Sequence, residues 1–366
     1  MRRPAGLSGP VEESSLRVVL CGTLYGAAYV RALAPSPWPH PDGLRLVGVL
    51  ARGSERSRLL ASQLAVPLYR EPREVPAGGV DLACVAVSGE AGCELALGFL
   101  RRGAHVLLEH PVTEAALAAL LAEAAGRRLV LHVNAHYGDC EVPQRFLAHC
   151  AALRPRMRLR HLSLATNSRA LYSGLDLVAR ALGGLDTLQF HGAAADAALP
   201  AEAPLLSIDG TAAGVAVTVQ CLRLDTAGDD GSGAWVSHRL TATFEEGTLF
   251  LGEASGPLLW IPAIAALGGV VSTGAAGAGV LSWPAWSDLS PPPAPPTVGA
   301  FFCWQRDQAN RFALHRLVRQ ARSGAIPAEQ QPAHLLAVSR AWDAAIARLR
   351  SAGEAPASWA SAPRSP

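Results

Sequence analysis

The first residues whose types and spacing suit chemistry are Cys21-Gly22-Thr23-Leu24-Tyr25-Gly26, which leave a short apolar run and open a helical one. A turn in that position directs backbone N-H groups and a helix amino terminus toward a bound pyrophosphate. Set on the GxGxxG fingerprint, only Gly26 falls on a glycine position, and Cys21 and Thr23 hold the other two, so the turn also fits a plain strand-to-helix corner. The end of the next strand reads Ala51-Arg52-Gly53-Ser54-Glu55-Arg56-Ser57. An Asp or Glu there would bind a ribose 2'-hydroxyl and repel a 2'-phosphate, whereas Arg and Ser bond to the phosphate, so the segment favours NADP over NAD. The same arginines also fit a solvated loop. A third cluster, Leu108-Glu109-His110-Pro111, closes a buried strand at the edge where such sheets bind ligands.

These clusters require a parallel sheet to present them. Leu16 to Cys21, Leu44 to Leu50, Val80 to Val87, His105 to Leu108 and Leu129 to Val133 read as short buried strands. Helical patterns alternate with them at Ala27 to Ala34, Ser54 to Gln63, Glu90 to Arg102 and Thr113 to Ala125, the last with Thr113 as N-cap. The fold class expected is α/β, with a Rossmann-like domain over residues 15–135 and an α+β substrate and dimerisation domain over 136–352. The second domain shows longer, partly alternating runs at Arg158 to Thr166, Gly214 to Leu224, Trp235 to Phe244 and Thr248 to Leu251, which indicate an open, mainly antiparallel sheet. Leu175 to Leu182 reads as a helix between its early strands, and Phe301 to Ser323 and Ala333 to Arg350 as amphipathic helices. Residues 1–14 and 353–366 lack periodicity and are expected to be flexible. Gly256 to Trp286 is uncharged, but its prolines and glycines break the continuous helix a bilayer demands, so a strand over Leu258 to Ile261 followed by an apolar loop is expected.

Composition narrows the function classes. The chain of 366 residues is 50% hydrophobic and 17% charged, as a folded two-domain protein should be. A net charge of +2, with no basic patch interleaved with aromatics, gives no case for nucleic acid. All 32 basic residues are arginine, so no lysine Schiff base, P-loop lysine or lysine acid operates here. The 7 cysteines are scattered and the histidines lack metal-binding spacing, which predicts reduced thiols, a cytoplasmic location and no metal.

The strand end Glu109-x-Pro111 resembles the glucose-fructose oxidoreductase and inositol dehydrogenase superfamily, where the middle residue is typically a lysine; here it is His110. Ala170 to Gly183 resembles the superfamily's substrate helix, with Asp176 kept and Tyr172 in place of a histidine four residues earlier, on the same helix face. Both departures resemble the stand-alone thiazolinyl imine reductases of yersiniabactin-like and pyochelin-like pathways. So do Gly22-x-x-x-Gly26-x-x-Tyr29, Leu50-Ala51 through Gly53-Ser54 and Arg56-Ser57, Val133-Asn134 leading to Tyr137, and Leu171-Tyr172-Ser173. The likeness runs from about residue 16 to about 350, closest before 185.

That resemblance implies reduction by NADPH of a thiazoline C=N held as a thioester on a peptidyl carrier protein of a nonribosomal peptide synthetase, by a homodimer, in siderophore or related biosynthesis. It implies His110 and Tyr137 as candidate proton donors, with an ordered water as the alternative, and Tyr172 and Asp176 as substrate-binding residues. Cofactor contacts are implied for Gly22, Thr23, Leu24, Gly26, Arg52, Gly53, Ser54, Arg56, Ser88, Glu109 and Asn134. Two other readings stand beside it: a sugar or inositol dehydrogenase, opposed by the missing lysine, and a non-catalytic NADP-binding regulatory protein.

Overall fold

The computed structural model describes residues 15–33, 43–191, 205–222, 238–267, 270–273, 279–282 and 298–351. The expected flexible ends lie outside them, as do residues 225–233 and 290–296.

The first half alternates strand and helix: β1 (Leu16–Cys21), α1 (Gly26–Leu33), β2 (Leu44–Leu50), α2 (Glu55–Gln63), β3 (Leu68–Tyr69), β4 (Leu82–Val85), α3 (Gly89–Arg101), β5 (His105–Glu109), α4 (Glu114–Gly126) and β6 (Leu131–Asn134). The strands pair in parallel in the order β3-β2-β1-β4-β5-β6, the doubly wound arrangement. Alternation along β1 divides the core: Val18 and Leu20 face Tyr29 of α1, and Val19 and Cys21 face the opposite layer. Thr113 caps α4 by accepting from Ala116 N, as its position before the helix predicts. The two-residue β3 is too short to leave a periodic signal, and the sequence reading passes over it.

The second half comprises α5 (Glu141–Leu153), β7 (Leu159–Asn167), α6 (Leu171–Leu182), β8 (Gln189–Phe190), β9 (Leu205–Ala212), β10 (Val215–Leu222), β11 (His238–Phe244), β12 (Gly247–Leu251), β13 (Leu258–Pro262), β14 (Ile264–Leu267), β15 (Val270–Thr273), β16 (Gly279–Ser282), α7 (Val298–Ser323) and α8 (Pro332–Ser351). Eight of these strands form one sheet, β16-β13-β12-β11-β7-β10-β9-β8, antiparallel except where β10 runs beside β7. The apolar stretch after β13 is strand rather than loop at β14, β15 and β16.

One glycine misleads the sequence reading, for a packing reason. Gly174 suggests that α6 begins after it, yet the helix starts at Leu171, because a Cβ at 174 would stand 2.8 Å from Leu164 of β7 and 3.2 Å from His238 of β11. The close seat of helix on sheet offsets the roughly 1 kcal/mol that glycine costs within a helix. Gly210 in β9 answers a similar demand: a Cβ there would meet the Gln189 carbonyl oxygen at 2.6 Å, so the bare backbone is what admits β8.

The two halves are joined by the last two helices. The long α7 packs on α1, and α8 packs on α4 and α6. Just before α8, the Gln330 side chain donates to Val133 O and accepts from Val133 N, both at 3.0 Å, along the outer side of edge strand β6.

Candidate active site

Gly22 leaves β1 with φ +88°, and a Cβ there would lie 2.8 Å from Val87 Cγ2, so only glycine fits and the backbone stays open to a ligand. Thr23 and the 79%-exposed Leu24 follow, and Gly26 opens α1 against Leu20. At the end of β2, Gly53 has φ +87°, Ser54 caps α2 by accepting from Ser57 N, and Arg52 and Arg56 are exposed. A groove of about 410 Å³ runs between Thr23, Ala27 and the α2 residues Arg56 and Leu60. Ser88 sits before α3 at the same sheet edge. An open backbone, a helix amino terminus and arginines without a neighbouring strand-end carboxylate fit a phosphorylated dinucleotide.

Glu109, at the end of β5, is only 6% exposed. Its Oε1 accepts from the Tyr29 hydroxyl and, at 2.8 Å, from Asn134 Nδ2. Asn134 Nδ2 also approaches the Tyr29 oxygen at 2.6 Å and Asn310 Oδ1 of α7 at 3.0 Å. Tyr29, a motif position without an evident role in the sequence, is therefore a partner of the buried acid. Burial raises the Glu109 carboxyl to about 7, against the pull of Tyr29, Asn134 and Arg306. Because the folded value lies above the ordinary 4.5, the fold favours the protonated acid. Stability from this group is complete below about pH 4.5 and is lost as pH rises through about 7. Glu109→Gln, which stays uncharged, should thus be more stable than wild type at pH 8 by up to about 3 kcal/mol, with the gap closing toward pH 5. Urea unfolding at the two pH values reads the difference; an equal gap at both would remove the titration of Glu109 as its cause.

His110 lies partly buried beside that acid, with Nδ1 2.7 Å from the Asn134 carbonyl oxygen and 3.7 Å from Glu109 Oε2. A carbonyl only accepts, so Nδ1 carries the hydrogen and Nε2 of the neutral ring is an acceptor. Burial lowers the His110 pKa, against the Asn134 carbonyl and Asp176, so the neutral form prevails at pH 7. The ring stacks on Tyr172 at 5.6 Å and 24°.

Tyr137 stands on a strained turn. His136 before it has φ 65° and ψ −68°, and Tyr137 N donates to Ala135 O at 2.8 Å, the geometry of the rare γ-turn. The turn is held by Asn134 Oδ1, which accepts from His136 N at 3.1 Å, and by Tyr25 and Asn310, which flank His136 Nδ1 at 3.3 and 3.4 Å. Strain of this kind persists where the surroundings over-determine it. The Tyr137 ring stands edge-on to His136 at 4.9 Å and to His238 at 4.2 Å. His238, wholly buried on β11, is itself fixed. Ser173 Oγ donates to Ala170 O and so accepts from His238 Nε2 at 3.0 Å, which leaves Nδ1 to accept from Thr166 Oγ1 at 3.2 Å. Burial drives its pKa down to about 3, making it a neutral platform under Tyr137.

The structure brings Tyr172 to His110 but turns the Tyr172 hydroxyl to Ser339 of α8 at 3.1 Å. Asp176, 2% exposed, faces Arg180 Nε at 2.8 Å and His334 Nε2 at 2.8 Å; burial pushes its carboxyl up, but the Arg180 charge and the hydrogen bond from His334 outweigh that and hold it below the usual range. Arg180 reaches on to Asp139 at 3.6 Å, Asp139 pairs with Arg316, and Arg316 pairs with Glu329 at 2.5 Å. Asp176 thus belongs to a buried ion-pair chain that ties α6, α7 and α8 to the turn carrying Tyr137. Sequence reasoning missed Tyr29, Asn310, His238 and His334; the last three lie far along the chain from the strand ends they meet, and no local spacing announces them.

Two family models match this arrangement in succession. Residues 16–135 match the oxidoreductase family with the NAD-binding Rossmann fold. Residues 158–261 match the C-terminal domain of Irp3-like thiazolinyl imine reductases. The chain joins a Gfo/Idh/MocA-type Rossmann domain to a second half similar to thiazolinyl imine reductases. It is accordingly an oxidoreductase that uses a nicotinamide cofactor. Solved structures share its fold at low identity. An Agrobacterium radiobacter oxidoreductase in complex with NAD+, L-tartaric acid and magnesium is 14% identical, with a TM-score of 0.63 over 90% of this chain and 95% of that one. KijD10, a 3-ketoreductase from Actinomadura kijaniata in complex with NADP, is 17% identical, with a TM-score of 0.62 over 90% and 96%. A putative myo-inositol dehydrogenase from Sinorhizobium meliloti is 14% identical, with a TM-score of 0.62 over 92% and 98%. No curated protein sequence matches the chain.

Proposed function

We propose that this reductase converts a thiazoline C=N to a thiazolidine with NADPH, on a substrate held as a thioester by a peptidyl carrier protein of a nonribosomal peptide synthetase. It does so as a cytoplasmic homodimer, with cofactor held by residues 15–135 and substrate by 136–352. The observation that carries this reading is the match of residues 158–261 to the thiazolinyl imine reductase C-terminal domain, because that half supplies α6 and His238, which pack against His110 and Tyr137. Bound NADPH supplies hydride to the ring carbon and leaves as NADP+. The ring nitrogen then needs a proton at the moment negative charge develops on it.

The two candidate donors differ in what they hold at neutral pH. Neutral His110 spends its hydrogen on the Asn134 carbonyl, so its Nε2 is suited to accept a hydrogen bond and orient a ligand. Tyr137 offers a phenolic hydroxyl beside His136 and His238 and is the proton donor in this reading. Asp176 and Arg180 position the donor through Asp139, while Tyr172 sets the face of His110.

Incubation of a carrier-bound thiazolinyl thioester with enzyme and NADPH should raise the substrate mass by two hydrogens. No mass gain, together with oxidation of a polyol, would transfer the enzyme to the sugar dehydrogenases of its superfamily.

A further inference from the structure

The end of β2 is flanked by a residue that the nucleotide-binding segment itself does not contain. β3 pairs with β2 in parallel, with Leu50 opposite Tyr69, and Ala51 N donates to Tyr69 O at 2.9 Å. Arg70 therefore leaves the sheet beside Ala51-Arg52, at the edge where doubly wound sheets bind their ligands. Its side chain lies over Gly53: a Cβ there would stand 3.1 Å from Arg70 Nε and 3.4 Å from Cζ. The positive φ of +87° at Gly53 and the missing side chain thus make room for a guanidinium. The backbone at Arg70 is anchored, since its N-H donates to Glu74 Oε2 at 2.7 Å, and the other nearby acid, Glu71, pairs with Arg73 at 2.5 Å. Glu55 is exposed in the first turn of α2. Among the described residues, Arg52, Arg56 and Arg70 have no carboxylate partner in an ion pair, whereas Arg17, Arg31 and Arg340 each do.

We infer that Arg70 is a further arm of the 2'-phosphate site, closing over Gly53 onto the phosphate that Arg52, Ser54 and Arg56 approach from the β2-α2 turn. The inference rests on the NADPH reading above and adds the residue that discriminates the cofactors from outside that turn. A phosphate dianion rewards such an arrangement, because a guanidinium fork gives two charge-assisted hydrogen bonds and the Ser54 hydroxyl and the α2 amino terminus add neutral donors.

The probes are adenosine 2',5'-bisphosphate and adenosine 5'-monophosphate, titrated calorimetrically into the full chain. Wild type should bind the bisphosphate at least about tenfold more tightly than the monophosphate. Arg70→Ala should lose about tenfold or more in bisphosphate affinity and leave the monophosphate unchanged. Gly53→Ala, which displaces the guanidinium, should move the bisphosphate the same way, with circular dichroism as the check on folding. Equal wild-type affinity for the two probes would overturn the NADPH reading and this inference with it. A wild-type preference that survives in Arg70→Ala would overturn the role of Arg70 alone, and so would an equal loss for both probes, which would assign Arg70 to the adenosine.

Discussion

Tyr137→Phe is expected to slow hydride transfer to the thiazoline by about 100-fold or more, the usual scale of a general acid, while NADPH binds nearly as before. The hydrogen bonds dictate where the hydrogens sit. His110 gives its hydrogen to the Asn134 carbonyl, and burial keeps it neutral at pH 7. If imidazolium were the donor, the rate would fall as pH rises through the lowered His110 pKa and would be small at pH 8. With Tyr137 as donor the rate shows no fall as pH rises through the lowered His110 pKa. Single-turnover loss of NADPH absorbance, followed against pH in wild type, Tyr137→Phe and His110→Asn, separates the two. A Tyr137→Phe rate equal to wild type would remove the hydroxyl from the chemistry.

Asp176→Ala is expected to cost about 3–5 kcal/mol of stability and to lower the melting midpoint by roughly 10 °C. Its carboxylate, 2% exposed, is the common partner of Arg180 and His334, and removing it strips His334 of that partner and leaves Arg180 with the longer 3.6 Å contact to Asp139. The group's pKa is lowered in the fold, so its contribution is present above the ordinary 3.8 and is lost as pH falls through the lowered value. The deficit of the variant should therefore be full at pH 7 and shrink toward pH 3. A direct substrate contact makes the opposite forecast: a raised KM with the melting midpoint unchanged. Thermal melts alongside steady-state kinetics decide between them.

Much of the fold was legible because its signals are local. Buried runs such as Leu16–Cys21 and Leu44–Leu50, punctuated by capped helices, specify a doubly wound sheet without reference to the rest of the chain. The strand ends that carry Gly22, Gly53 and His110 follow from that topology. What the sequence conceals is set by contacts between distant segments. Tyr29 meets Glu109 across two elements, Asn310 reaches Asn134 from 176 residues away, and His238 arrives under Tyr137 from the second sheet. Gly174 reads as a break because sequence periodicity cannot register a close approach by another element. The γ-turn at His136 is likewise silent, since no glycine marks a positive φ in Asn134-Ala135-His136-Tyr137.

The pairing of Gln330 with Val133 has a consequence for biosynthesis. One side-chain amide does for β6 what another strand's peptide would do, satisfying a donor and an acceptor on its outer side. That amide is encoded 197 residues later, so a growing chain holds the whole parallel sheet in hand long before its own stopper exists. Throughout that interval the margin of β6 is a template on which another strand can dock. Nascent chains on one messenger carry this risk together, and it ends for each only when the segment leading into α8 has left the ribosome.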